Sequence, residues 1–172
     1  MDVFLADLQN SHFRYLRNSV PIGMGYVAAY LKKQYGNAVN IHLFREFHEI
    51  YDALKTTTPH MVAFGSYVWN TNLTQAVGKY IRENYPDTII AVGGPDVSQI
   101  PSLTYNDMID NRHVDFWMPN EGEEPMSIIV GAMLGLDDFT KVRNHELNGS
   151  LALKPGTDEL WGEVIARYNG DI

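Results

Sequence analysis

The chain has 172 residues, no cysteine, and 21 acidic against 13 basic side chains, for a net charge of −8. That length suits one α/β domain with a real core and is short for two. The scattered Lys and Arg argue against a nucleic-acid surface. The missing cysteines exclude disulfides, thiolate nucleophiles, zinc–thiolate sites and an iron–sulfur cluster held by the chain's own residues. No apolar run approaches the roughly 18–20 residues of a membrane span, and the N-terminus lacks a signal-peptide layout, so the expected location is cytoplasmic.

Strand-like and helix-like segments alternate along the chain. Val3 to Ala6 reads as a first strand, followed by a long polar loop from Gln9 to Ser19. A helix starts near Ile22, with Met24, Val27, Ala28 and Leu31 on one face, Pro21 before it and Gly36 after it. Val39 to Phe44 is a second strand, and Phe47, Ile50, Tyr51 and Leu54 repeat at helical spacing. Met61 to Phe64 is continuously apolar, the pattern of a strand buried on both faces. Leu73, Ala76, Val77, Tyr80 and Ile81 mark a helix that stops near Pro86, and Thr88 to Val92 is the fourth strand. A helical region from Val97 to Asp110 is expected to be interrupted by Pro101. Val114 to Met118 is the fifth strand, and a helix carrying Pro125 in its first turn runs to about Leu134.

This pattern predicts an α/β fold: a doubly wound, five-stranded parallel sheet, flavodoxin-like or Rossmann-like, in the order 2-1-3-4-5. Residues 1–135 form the expected domain. Residues 136–172 are turn-rich, with weak strands at Ser150 to Leu153 and Glu163 to Arg167, and read as an irregular extension. The closing Asn169-Gly170-Asp171 resembles a hairpin turn without its second strand, which suggests a piece of a longer polypeptide.

Four strands end in sequence unlike ordinary turns: Leu5-Ala6-Asp7, Gly65-Ser66-Tyr67, Val92-Gly93-Gly94-Pro95-Asp96 and Met118 to Glu123. In a parallel sheet these loops share one edge, the edge at which open α/β sheets bind ligands. Gly23-Met24-Gly25-Tyr26-Val27-Ala28 matches a dinucleotide fingerprint, and Glu46 stands where an acid would meet a ribose. The fingerprint, however, needs its first glycine in a tight turn directly after the strand, and here the long loop intervenes. The plainer reading of those glycines is that small residues let the first helix pack closely on the sheet or on a bulky ligand. A phosphate-receiver reading fails because Ser66 and Asn120 stand where an aspartate and a lysine are required. Ser66 to Asn70 reads equally as a ligand contact at the strand end or as ordinary packing of Tyr67 and Trp69 with Asn70 as a helix cap. His12 lies in the first loop without partners at ligand spacing, so no metal ligand is assigned.

Taken in order, Pro21-x-Gly23-x-Gly25, the segment Val62 to Asn70, Val92-Gly93-Gly94-Pro95 and Glu121-Gly122-Glu123 resemble the N-terminal cobalamin-binding domain of radical S-adenosylmethionine (SAM) enzymes. The resemblance implies a domain that holds cobalamin at the carboxyl edge of the sheet, with its nucleotide tail threaded between sheet and helices. S-adenosylmethionine and a 4Fe-4S cluster would then sit on a separate catalytic domain in cis, and many such enzymes are methyltransferases. On this chain, Gly93, Gly94 and Pro95 would give the tail access to backbone, and Ser66 would hydrogen-bond to it. Glu121, Gly122 and Glu123 would close the tail pocket. Tyr67, Val68 and Trp69 would pack on the corrin or its base, with Pro21 and Gly23 alongside. A branched side chain at Gly94 is expected to block the tail while leaving the fold intact. One departure stands out: Asp7 is followed by Leu8-Gln9-Asn10, not by the Asp-x-His-x-x-Gly of methionine-synthase-like domains. The competing reading is a freestanding Rossmann-like dinucleotide-binding enzyme.

Overall fold

The computed structural model describes residues 1–9, 21–136, 150–153 and 157–163. His12, most of the first loop and the closing Asn169-Gly170-Asp171 lie outside them. The elements are β1 (Asp2–Ala6), α1 (Ile22–Tyr35), β2 (Asn40–Phe44), α2 (Phe47–Leu54), β3 (Met61–Gly65), α3 (Thr71–Asn84), β4 (Ile89–Gly93), α4 (Pro101–Asp110), β5 (Phe116–Met118), α5 (Glu123–Met133), β6 (Ser150–Leu153) and β7 (Leu160–Glu163). They form one sheet in the order β2-β1-β3-β4-β5-β6-β7.

The first five strands are parallel and keep the expected 2-1-3-4-5 order. The sheet then continues past the five predicted strands. β6 joins β5 antiparallel through the Trp117–Leu151 pair, and β7 pairs antiparallel with β6. β7 covers Leu160–Glu163; of the weak strand read from Glu163 to Arg167, residues 164–167 lie outside the described residues.

Local chemistry accounts for the helix boundaries. Gly36 ends α1 at φ +53°, a conformation that costs a side chain, and the Lys32 ammonium donates to the carbonyls of Gly36 and Val39 beyond the helix end. At α2, Glu46 and Glu49 form a reciprocal capping box. Pro101 does not interrupt a helix; it opens α4 at a position where its missing N–H costs nothing.

Each sheet face buries its own apolar layer. On one side Val3, Leu5, Met61, Ala63, Ala91, Phe116 and Met118 meet Val27 and Leu31 of α1 and Met126, Ile129 and Val130 of α5. On the other side Phe4, Val62, Phe64, Ile90, Val92 and Trp117 meet Ile50 and Leu54 of α2, Val77 and Ile81 of α3 and Met108 of α4. A fully buried side chain of this size contributes about 1.5–3 kcal/mol, so each layer is a major stabilising term. Arg82 on α3 further braces β5, donating to the Asp115 carboxylate at 2.5 Å and to the His113 carbonyl. The second Asp115 contact is the Ile90 N–H, so one carboxylate ties α3 to β4.

His113 is a weak point of that face. Its ring lies so close to Gly78 of α3 that a Cβ there would come within 2.9 Å of Cδ2, and its buried Nε2 has no hydrogen-bond partner. Burial, reinforced by the positive charges of Lys79 and Arg82, lowers its pKa to about 4. The unfolded chain, titrating near the ordinary value of 6.5, therefore binds a proton that the folded chain refuses. The stability present above pH 6.5 should fall as the pH drops towards 4, by an amount on the order of 3 kcal/mol. Denaturant titrations of the protein and of His113→Gln across this window check it: the variant should show a flatter profile, and parallel profiles would clear His113.

Candidate functional site

A cleft of about 240 Å³ opens at the carboxyl ends of β3, β4 and β5, between the sheet and helices α1 and α5. Its origin lies in strand alternation. Ala63, Gly65, Ala91 and Gly93 line it, and the register sets Ala63 beside Ala91 and Gly65 beside Gly93. One residue out of phase, Val62, Phe64, Ile90 and Val92 fill the opposite face. The same two strands are thus bulky on one side and nearly bare on the other at their carboxyl ends. Met24 and Val27 of α1, Met118 of β5 and Met126 of α5 form the remaining apolar walls. A Cβ on Gly65 would stand 3.3 Å from Met24 Cε, and one on Gly93 would stand 3.4 Å from Met118 Cβ. Even a methyl group at these positions would begin to fill the space.

Of the residues picked out by sequence, Gly23, Tyr67, Gly93, Gly94, Pro95, Glu121, Gly122 and Glu123 line this one cleft. Pro21, Ser66, Val68 and Trp69 are not part of its wall. The Ser66 hydroxyl is buried and turned to the Asp96 carboxylate, at 3.2 Å, and to the Thr71 hydroxyl; Thr71 also donates to Asp96. That network, with the Ser66 N–H donating to Gly93 O and the Asp96 N–H to Ser66 O, fixes the β4–α4 loop against the end of β3. Val68 and Trp69 lie on the rim, 84% and 51% exposed, and the Trp69 ring stacks on Tyr67 at 4.7 Å between centroids. Tyr67 therefore joins the cleft to an exposed apolar shelf.

Sequence reasoning missed several contributors. Asn70 occupies the position before α3 but makes no capping bond; its buried side chain accepts from Tyr67 N–H and donates to the carbonyls of Leu8 and Gly65. It thereby clamps the ends of β1 and β3 together beneath the shelf. Ala63 and Ala91 were hidden inside apolar runs and Gly65 was marked only as a strand end, although the alternation of large and small residues in Met61–Gly65 and Ile89–Gly93 was available as a signal. Asp7 sits at the same edge, where burial raises its pKa against the opposing pull of Arg45; burial, and then Asp7 itself, raise that of Tyr67. Among the described residues no group of three or more His, Asp or Glu side chains could hold a metal.

The dinucleotide features do not assemble. Gly23 lies within α1, with residues 7–21 between it and β1, and Glu46 is consumed by its capping box. Among the described residues, nothing outside the local helix lies within 4 Å of where a Cβ on Gly23 or Gly25 would stand.

A doubly wound sheet with an apolar cleft at its carboxyl edge, continued by an aromatic shelf, defines a cofactor-holding α/β module. The family model of the B12 binding domain matches residues 16–130. The chain belongs to that family. It is 34% identical over 110 residues to the cobalamin-dependent radical SAM methyltransferase TokK of Streptomyces tokunonensis, a match covering 63% of this chain and 15% of TokK. It is 25% identical over 101 residues to the 2-(S-pantetheinyl)-carbapenam-3-carboxylate methyltransferase of Streptantibioticus cattleyicolor, covering 58% of this chain and 14% of that protein. Among solved structures, OxsB, a cobalamin-dependent S-adenosylmethionine radical enzyme with aqua-cobalamin and S-adenosylmethionine bound, superposes with a TM-score of 0.72 at 14% identity. That match covers 95% of this chain and 22% of OxsB. The RcsB response regulator of Salmonella typhimurium shares the fold at a TM-score of 0.54 and 15% identity. The chain thus spans a small part of the cobalamin-dependent proteins it matches. No helix of the described residues is long and apolar enough to cross a membrane.

The geometry at Gly94 changes one expectation. Gly94 adopts φ +107°, and a Cβ there would stand 2.6 Å from the Ser66 carbonyl oxygen. A side chain at Gly94 meets backbone before it meets a ligand. Gly94→Ala should lower stability by about 3 kcal/mol, combining left-handed strain with a clash that only backbone movement relieves. Chemical denaturation in the absence of any cofactor checks this; a variant as stable as the parent would restore Gly94 as a purely ligand-facing position.

Proposed function

We propose that this chain is the corrinoid-holding module of a larger radical SAM methyltransferase, with the nucleotide tail in the cleft and the corrin on the rim. One observation carries the reading: the in-register pairs Ala63–Ala91 and Gly65–Gly93 form the floor of an apolar cleft at the ligand-binding edge. At about 240 Å³ the slot lies below the roughly 300–1,000 Å³ of pockets that enclose whole drug-sized ligands, so it suits one arm of a large cofactor. The macrocycle then rests outside it, where Val68, Trp69 and Tyr67 offer an apolar surface that is otherwise costly to expose.

Each residue has a physical task in this arrangement. Gly93 and Gly65 let the tail approach strand ends, Met24, Met118 and Met126 adapt their shape around it, and Glu121, Gly122 and Glu123 border its exit. Ser66 acts indirectly, by holding the loop that carries Gly93 and Gly94. When bound, the corrinoid supplies a methyl group for transfer to carbon; the chain supplies position and a dry, apolar seat. The catalytic domain in cis, with its S-adenosylmethionine and iron–sulfur cluster, belongs to the same reading. So does the division into a binding domain at 1–135 and a segment at 136–172 that leads toward that partner.

Incubation with hydroxocobalamin followed by desalting should leave corrin absorbance on the protein, and a colourless product would overturn the proposal. Gly23→Trp supplies the control for location. Position 23 borders the cleft with open space around it, and replacing glycine within a helix favours the fold, so the variant should melt like the parent. Its corrinoid affinity should nevertheless fall at least about tenfold, because the indole fills the tail's slot.

A further inference from the structure

The chemistry of the slot goes further than its size. We propose that it selects corrinoids whose nucleotide ends in an apolar benzimidazole-type base over those that end in a purine, an inference that rests on the tail-in-cleft reading above. The floor is made by Ala63, Gly65, Ala91 and Gly93, and the side walls by Met24, Val27, Met118 and Met126. None of these side chains donates or accepts a conventional hydrogen bond. The backbone of the floor is committed to the sheet ladder, with β3 and β4 paired from Met61–Ile89 through Gly65–Gly93, and Gly93 O receives the Ser66 N–H as well. The polar side chains that line the cleft, Tyr67, Asn120, Glu121 and Glu123, come from the β3–α3 and β5–α5 connections; of these, Tyr67 sets a ring carbon, Cε2, 3.5 Å from where a Cβ on Gly65 would stand.

A base seated on that floor therefore exchanges water for methyl, methylene and thioether groups. A dimethylated benzimidazole loses little, since its buried edge carries carbon, and thioether contacts with an aromatic ring are favourable. A purine such as adenine brings an exocyclic amine and ring nitrogens to the same place, and each buried polar atom left without a partner weakens binding. The asymmetry is that of sites that discriminate by leaving polar groups unpaired, except that here the unpaired groups belong to the ligand.

The test measures dissociation constants by visible titration for three corrinoids: cobalamin, adeninyl cobamide and cobinamide, which has no nucleotide. Cobalamin should bind at least about tenfold more tightly than adeninyl cobamide, the loss expected from one unpaired buried group. Equal affinities for these two would overturn the selectivity while leaving the corrinoid reading intact. Cobinamide binding as tightly as cobalamin would place the tail outside the slot and overturn both the selectivity and its location. Failure of all three to bind would overturn the parent reading itself. Ala91→Ser adds a hydroxyl to the floor at almost unchanged volume, and it should narrow the gap between cobalamin and adeninyl cobamide at least about threefold; an unchanged gap with normal cobalamin affinity would show that the base does not reach the floor.

Discussion

The site depends on a register. β3 and β4 pair so that Ala63 faces Ala91 and Gly65 faces Gly93, and this places four of the smallest side chains in one contiguous patch at the carboxyl edge. A shift of one residue would bring Val62 and Phe64 or Ile90 and Val92 to that face and fill the cleft, because side-chain direction in a strand reverses at every step. The register is itself held by burial. Phe64, Ile90 and Val92 are almost wholly enclosed by α3 and α4 on the far side, and slipping would expose them. The packed face therefore specifies the open one.

The loops inherit their positions from this arrangement. Glycine at position 94 lets the chain leave β4 with a positive φ and pass within contact of the Ser66 backbone, and Asp96 then locks the loop through the hydroxyls of Ser66 and Thr71. Asn70 does the corresponding work between β1 and β3. Two short polar side chains, each satisfied by several neighbours, hold the edge while the apolar walls around it remain adaptable methionines. A firm rim with a compliant interior suits a ligand that is rigid in its ring and flexible in its tail.

Most of the fold was legible from the sequence because its signals are local. Continuous apolar runs, helical repeats of Leu73, Val77 and Tyr80, and the glycine and proline punctuation each act within a few residues, and the crossover rules then leave few topologies. Pro101 was misread because a proline looks alike as a breaker and as a first residue; only the extended backbone of Ile100 before it decides the matter. The added strands β6 and β7 were faint because short antiparallel strands carry little periodicity of their own and are fixed by pairing with β5 and with each other. In the site, Gly93, Gly94 and Gly122 announced themselves by composition. Ser66 was visible as a hydroxyl at a strand end, yet its orientation depends on Asp96 and Thr71, and such a three-way contact has no signature in a single segment. Asn70 was ambiguous for the same reason.

The unequal finish of the two faces also explains how the domain tolerates a site of this kind. An apolar slot and an exposed Val68 and Trp69 are unfavourable in water, since the first forgoes dispersion contacts and the second leaves apolar surface hydrated. The slot lies on the α1 and α5 side, where a Cβ on Gly23 or Gly25 would meet nothing within 4 Å among the described residues outside the local helix. The compensating stability comes from the α2, α3 and α4 side, with its closely packed aromatic and branched residues and the Arg82–Asp115 brace. A ligand that fills the slot and covers the shelf removes both costs together, so its binding free energy adds to folding stability in proportion to the logarithm of its concentration. Cofactor retention and resistance to unfolding are therefore coupled through the same four small residues, and any substitution that closes the slot to improve packing does so at the expense of that coupling.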